Sequence, residues 1–164
     1  MPVPERVEGP GFRSLAFESI ERFDYGDVLL IAKPPRTTDD PRVWAETLFS
    51  AEASPVWVRA AMGVRMALAP LLGLRPAPRG VFDVRRVEGE EALLEFDDDH
   101  LLFRCAVGVD AVAGVVRVTT VVVLHGWRGR VYFTPVSLAH PLVVNAMLHG
   151  ARRILAARGR GIRS

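Results

Sequence analysis

His100 directly follows Asp97, Asp98 and Asp99, which sets an imidazole beside three carboxylates. A carboxylate next to an imidazole raises its basicity and orients it, as general acid–base proton transfer requires. Three aspartates in a row are also ordinary turn chemistry between strands, so both readings stand at this point. The other histidines, His125, His140 and His149, are scattered. Two imidazoles at i, i+4 on one helix would suit a metal, but His140 and His149 lie nine residues apart. No Cys/His/Asp set has ligand spacing, so neither a metal nor a cofactor is expected. No Gly-x-Ser-x-Gly elbow presents a serine nucleophile. Cys105 alternates with Phe103 and Val107 in an apolar pattern, the setting of a buried, inert thiol.

Arg104, Arg117, Thr119 and Thr120 form a second polar group. A guanidinium at a cavity mouth can hold a ligand carboxylate bidentately. Alternation instead puts both arginines on the outer face of a sheet. Thr120 falls on the apolar face, where its hydroxyl needs a backbone carbonyl or a ligand as partner. Apolar side chains give the strongest binding signal. Trp57, Met62, Phe82, Phe96, Phe103, Phe133 and Met147, with Thr120, are expected to line a cavity between sheet and last helix. A solid core would use the same residues.

These side chains must be held by elements that the hydrophobic period marks out. Tyr25–Ala32 reads as a first strand, ended by Pro34-Pro35. Asp40-Pro41 and Ser54-Pro55 are helix starts, a capping side chain followed by a first-turn proline. The first helix turns Val43, Trp44, Thr47 and Leu48 inward. The second carries Trp57, Ala61, Val64, Leu68, Leu71 and Leu72, with Pro70 and Gly73 as its end signals. From Gly80 the period becomes two. Strands are expected over 81–87, 92–96, 101–109, 115–124 and 130–134, with turns at 97–99, 111–114 and 126–129. From 138 to 157 the period returns to 3.6, with Leu142, Val143, Ala146, Met147, Gly150 and Ile154 on one stripe. Short turns between neighbouring strands point to an antiparallel α+β domain.

At 164 residues the chain suits one domain with a real core. We expect a flexible arm over 1–13, the domain over 14–158 and a basic tail over 159–164. Hydrophobic residues make up 49% of it, which a large core, a cavity or an adhesive surface would explain. No transmembrane span is expected, the longest apolar run lying near Val121–Leu124, and residues 1–11 lack the apolar core of a secretory signal. A single cysteine excludes a disulfide within the monomer and favours a cytoplasmic setting. All 19 acidic residues lie at or before Asp110, whereas Ala111–Ser164 carries eight arginines and no carboxylate. The halves are thus −6 (13 basic, 19 acidic) and +8. They either neutralise one another when packed or mark a contact with anionic membrane through Arg152, Arg153, Arg158, Arg160 and Arg163. Nucleic acid has least support, because no recognition motif appears. No oligomeric state is specified.

Several segments resemble a known superfamily: Trp57-Val58-Arg59 with Arg65 and Leu72-Gly73-Leu74; Asp99-His100-Leu101 with Phe103-Arg104; Thr119-Thr120-Val121; Gly129-Arg130-Val131-Tyr132-Phe133; His140 with Met147-Leu148. The chain is similar to the helix-grip (START-like, SRPBCC) superfamily of lipid-binding domains and polyketide cyclases. More closely it resembles a bacterial family of unknown function that also occurs fused to short-chain-dehydrogenase-like proteins. The resemblance spans roughly Asp24–Arg152. It implies a helix-grip fold: a curved antiparallel sheet of about six strands around a long C-terminal helix, with two helices between strands 1 and 2. It implies no activity. No Gly-x-Gly-x-x-Gly follows a strand, so NAD chemistry is not expected. The resulting expectation is a domain that binds an apolar or amphiphilic small molecule. The alternatives are a small cyclase- or dehydratase-like enzyme with a pocket histidine, and a membrane-surface or protein-interaction module.

Overall fold

A computed structural model of the protein describes residues 13–68, 70 and 80–161. Most of the expected arm, the continuation of the second helix through Leu71, Leu72 and Gly73, and residues 162–164 lie outside the described residues.

Strand β1 (Tyr25–Ala32) leads into α1 (Pro41–Leu48) and α2 (Val56–Leu68), as the proline starts predict. Asp40 caps α1, its carboxylate accepting from the Arg42 N–H at 2.8 Å, and Pro41 occupies the first turn. β2 (Arg86–Glu88), β3 (Glu91–Asp97), β4 (Leu101–Asp110) and β5 (Val115–Leu124) follow, and α3 (Gly126–Gly161) closes the chain. The five strands form one antiparallel sheet in the order β1-β5-β4-β3-β2. The first strand therefore pairs with the last and forms an edge.

Two expected strands need correction. Residues 130–134 are helical, so the sheet has five strands among the described residues and not six. Val131, Tyr132, Phe133 and Thr134 favour strands locally, but Gly129 and Phe133, one helical turn apart, are both buried against the rest of the domain. Tertiary packing overrides local preference here. Gly126, at φ +74°, turns the chain directly from β5 into α3. The expected strand over 81–87 shrinks to its end, because the Asp83 N–H donates to the Gly80 carbonyl at 3.0 Å and closes a turn. That turn sends Phe82 inward, stacked on Phe49 with ring centroids 4.8 Å apart.

The inner face of the sheet gives Leu94, Cys105, Val107, Val116 and Val118 to one core, which Trp44 and Leu48 of α1 and Leu148 and Leu155 of α3 complete. On the outer face a short 3₁₀ turn (Leu15–Phe17) covers Leu93, Ala106 and Val121. Alternation in β4 and β5 is as the sequence predicts. Arg104 and Arg117 lie outward, Arg104 on Glu95 and Arg117 on Glu91, the latter at 2.6 Å. By length and composition α3 could cross a membrane, although no span is expected from the sequence. One side of it is nevertheless core: Phe133, Met147, Leu148, Ala151 and Leu155 are all buried.

Candidate functional site

Strand β1 alternates, so Tyr25, Asp27, Leu29 and Ile31 point to the inner face while their neighbours are exposed. Three of those positions are ordinary for a core-facing strand. Asp27 is not, because a carboxylate there loses water and must find partners. Its Oδ2 accepts from the Tyr25 hydroxyl at 2.7 Å and meets His140 Nδ1 of α3 at 3.0 Å. An ionised carboxylate can only accept, which makes Nδ1 the protonated ring nitrogen. The Tyr25 hydroxyl also lies 3.4 Å from that nitrogen, and the two rings meet edge to face at 5.5 Å. Phe133, two turns earlier on α3, packs edge-on against Tyr25 at 5.3 Å. Asp27 and His140 side chains keep only 16% and 14% exposure.

The electrostatics follow from that burial. Desolvation is the largest single influence on Asp27 and would raise its pKa. Hydrogen bonds from His140 and Tyr25, the charge of His140 and a smaller contribution from Thr120 outweigh it and hold the carboxyl below its ordinary value. Burial first, then donation to Asp27, pushes the Tyr25 phenol up, so it stays a neutral donor. Across the β1–β5 ladder Asp27 stands opposite Thr120, and Thr120 stands opposite Cys105 on β4. Thr120 interacts weakly with both carboxylate and thiol, yet among the described residues Asp27 Oδ1 and Thr120 Oγ1 are buried without a well-formed hydrogen bond. Such atoms are rare in folded proteins and call for water, an ion or a ligand.

Cys105 shares this face. Burial, then the Asp27 charge, pushes its thiol up to about 12. In native protein we expect a thiol reagent to label it roughly a hundredfold more slowly than in denaturant, because reaction waits for opening. Fast labelling at equal pH would contradict this placement.

Of the eight side chains singled out in the sequence, Met147 lies in the main core with Met62, Phe82 and Phe103 packed against it, and the others lie elsewhere. Thr120 and Phe133 belong to the cluster just described. Phe82 and Phe103 meet edge to face at 6.5 Å, and Phe96 is the cross-strand partner of Phe103. Met147 is buried in the main core, Met62 packs half-buried against it, and Trp57 is exposed on α2. The Asp97–Asp99 run is a turn: Asp98 Oδ1 accepts from the N–H groups of His100 and Leu101 at 2.7 and 2.9 Å. The His100 ring is only loosely placed against Asp98, at 3.5 Å. No group of three or more metal-ligating side chains occurs among the described residues. A hollow of about 420 Å³ lies between α1 and Phe82–Val84, and another of about 660 Å³ beside the C-terminal half of α3. Neither is lined by Asp27 or His140.

Residues 19–147 match the model of a family described as a protein of unknown function, DUF2867. The chain belongs to that family. Comparison with curated proteins and with solved structures gives no match. The matched span of this DUF2867 domain contains β1, β5 and α3 as far as Met147, and therefore every member of the polar cluster. Sequence reasoning passed over Asp27 and left His140 as scattered. A carboxylate in phase with Leu29 and Ile31 is the signal that could have found the first. Nothing local marks the second, since its partner lies 113 residues away.

Proposed function

We propose that this domain binds an amphiphilic small molecule whose polar end carries a hydrogen-bond donor, with Asp27 and Thr120 as the anchor. The observation that carries the reading is the facing pair of buried oxygens, Asp27 Oδ1 and Thr120 Oγ1, which lie close enough for Thr120 to help hold the carboxyl low but make no well-formed hydrogen bond among the described residues. A ligand hydroxyl or ammonium donating to Asp27 Oδ1 would satisfy the carboxylate, and a hydroxyl could also accept from Thr120. Tyr25 and His140 hold that carboxylate ionised and fixed in direction, while Phe133 and Leu29 offer apolar walls. Because β1 is an edge strand, a ligand would enter at the margin between β1 and α3. Kinship with helix-grip, START-like domains is part of this proposal. It is supported by two helices after the first strand, an antiparallel sheet and a long closing helix.

A second reading has its own observation. His140 is held through Nδ1 by Asp27, and its Nε2 makes no hydrogen bond among the described residues. That is the arrangement of an oriented general base, which a cyclase- or dehydratase-like reaction would use. The anchor is tested by amide and imidazole NMR during titration with single-chain amphiphiles ending in hydroxyl, amine or carboxylate. We expect shifts at Asp27, Thr120 and His140 for the hydroxyl or amine series, abolished in Asp27→Asn and Thr120→Val. Shifts in none of the series, or only in the carboxylate series, would overturn the anchor.

A further inference from the structure

The outward side of α3 carries a pattern that the polar cluster does not use. Trp127, Leu138, His149 and Arg160 recur every eleven residues, and so do Val131, Leu142 and Arg153. Eleven residues are close to three helical turns, so all seven fall on one stripe. The stripe faces solvent throughout. Trp127, Val131, Leu138 and Leu142 are 68%, 53%, 78% and 68% exposed, and His149, Arg153 and Arg160 are exposed as well. Pro135 and Pro141 lie within the helix without ending it.

The stripe is apolar over its first half and cationic over its second. In the second half, His149, Arg152, Arg153 and Arg160 line the hollow of about 660 Å³ with Pro34 and Ala156, and no carboxylate among the described residues lines it. Among the described residues the two halves of the chain neutralise one another only in part. Arg117 pairs with Glu91 and Arg130 with Asp24, but Arg152, Arg153, Arg158 and Arg160 make no ion pair among the described residues. All of α3 contains six arginines and no Asp or Glu, and α2, which exposes Val56, Trp57, Val64 and Met66, also lacks acids.

From these observations we infer that the outer stripe of α3 docks on an anionic phospholipid surface. The apolar half enters the headgroup–acyl boundary, and the arginine-lined hollow takes lipid phosphate. An exposed indole suits that boundary, and unpaired guanidiniums near it bind phosphate oxygens bidentately. A second copy of the chain fits less well. Antiparallel pairing of two such stripes sets cationic halves against apolar ones, and parallel pairing sets cations against cations. Neither supplies a carboxylate. The inward side of the helix stays in the core, so docking needs no unfolding. This inference does not rest on the small-molecule reading.

Vesicle co-sedimentation of the full chain tests it, comparing pure phosphatidylcholine with vesicles containing about 30% phosphatidylglycerol. We expect at least roughly tenfold tighter partition onto the anionic vesicles, weakened by salt. Arg153→Gln/Arg160→Gln and Leu138→Asp/Leu142→Asp should each lower it about tenfold, with thermal melts close to wild type because all four positions are exposed. Equal partition onto both vesicle types, no partition, or undiminished binding by well-folded variants would overturn the inference. So would a concentration-dependent dimer that Leu138→Asp/Leu142→Asp dissolves, which assigns the stripe to a second copy.

Discussion

Asp27→Asn should lower stability at pH 7 by about 2 kcal/mol, and the difference from wild type should shrink as the solution is acidified. The carboxylate accepts two charge-assisted hydrogen bonds at one oxygen, from Tyr25 and His140. An amide keeps the shape but loses the charge, and leaves the two donors with a weaker acceptor. The sign of the pH dependence follows from the lowered folded-state pKa of Asp27. Its contribution is complete above the unfolded value, about 3.9, and is lost as pH falls through the lower folded value. Urea unfolding of both proteins between pH 7 and pH 3 checks this. A gap that stays constant over the range, or an Asn variant as stable as wild type at pH 7, would contradict it. Tyr25→Phe should show a smaller loss that also shrinks on acidification, since its hydrogen bond is one of those that hold the Asp27 pKa low.

Gly150→Ala should destabilise the protein by about 3 kcal/mol, although alanine is the better helix former. A Cβ at Gly150 would lie 2.0 Å from the Ala53 carbonyl oxygen and 2.8 Å from its carbon, both backbone atoms in the segment between α1 and α2. Backbone cannot rotate aside as a side chain can, so α3 must move off that segment. Leu148 and Ala151, buried on either side of Gly150, would move with it. Gly63 on α2 supplies the contrast: a Cβ there meets nothing within 4 Å. Gly63→Ala should therefore stabilise by roughly 0.5–1 kcal/mol through backbone entropy alone. Chemical denaturation of the two variants side by side is decisive. Equal and small effects would mean that α3 does not press on Ala53.

Much of this fold was legible in the residues, because period and punctuation are local. Proline after Asp40 and Ser54 announced α1 and α2, and alternation in β4 and β5 assigned their faces, down to Thr120 on the inner one. What escaped was set by contacts between distant residues. Phe133 sits in a β-favouring run, yet it is helical because Tyr25, more than a hundred residues earlier, supplies the surface that it packs on. Phe82 left its strand to stack on Phe49. The candidate site failed in the same way. His100 stood beside three aspartates and proved to be turn chemistry, whereas His140 has no acidic neighbour in sequence and is the imidazole that holds a carboxylate. Asp27 alone could have been read, as a charge in phase with inward leucine and isoleucine. Its meaning came only when β1 was placed against β5, which put Thr120 opposite.

The central claim is that Asp27 presents a fixed, ionised oxygen to a guest rather than to solvent. Native mass spectrometry of protein purified from its host, followed by organic extraction, tests it most directly. We expect wild type to carry an added mass that extracts as an amphiphile with a hydroxyl or amine, and Asp27→Asn to fly as the bare chain. Wild type and variant both flying bare, or both retaining the same compound equally, would contradict the claim.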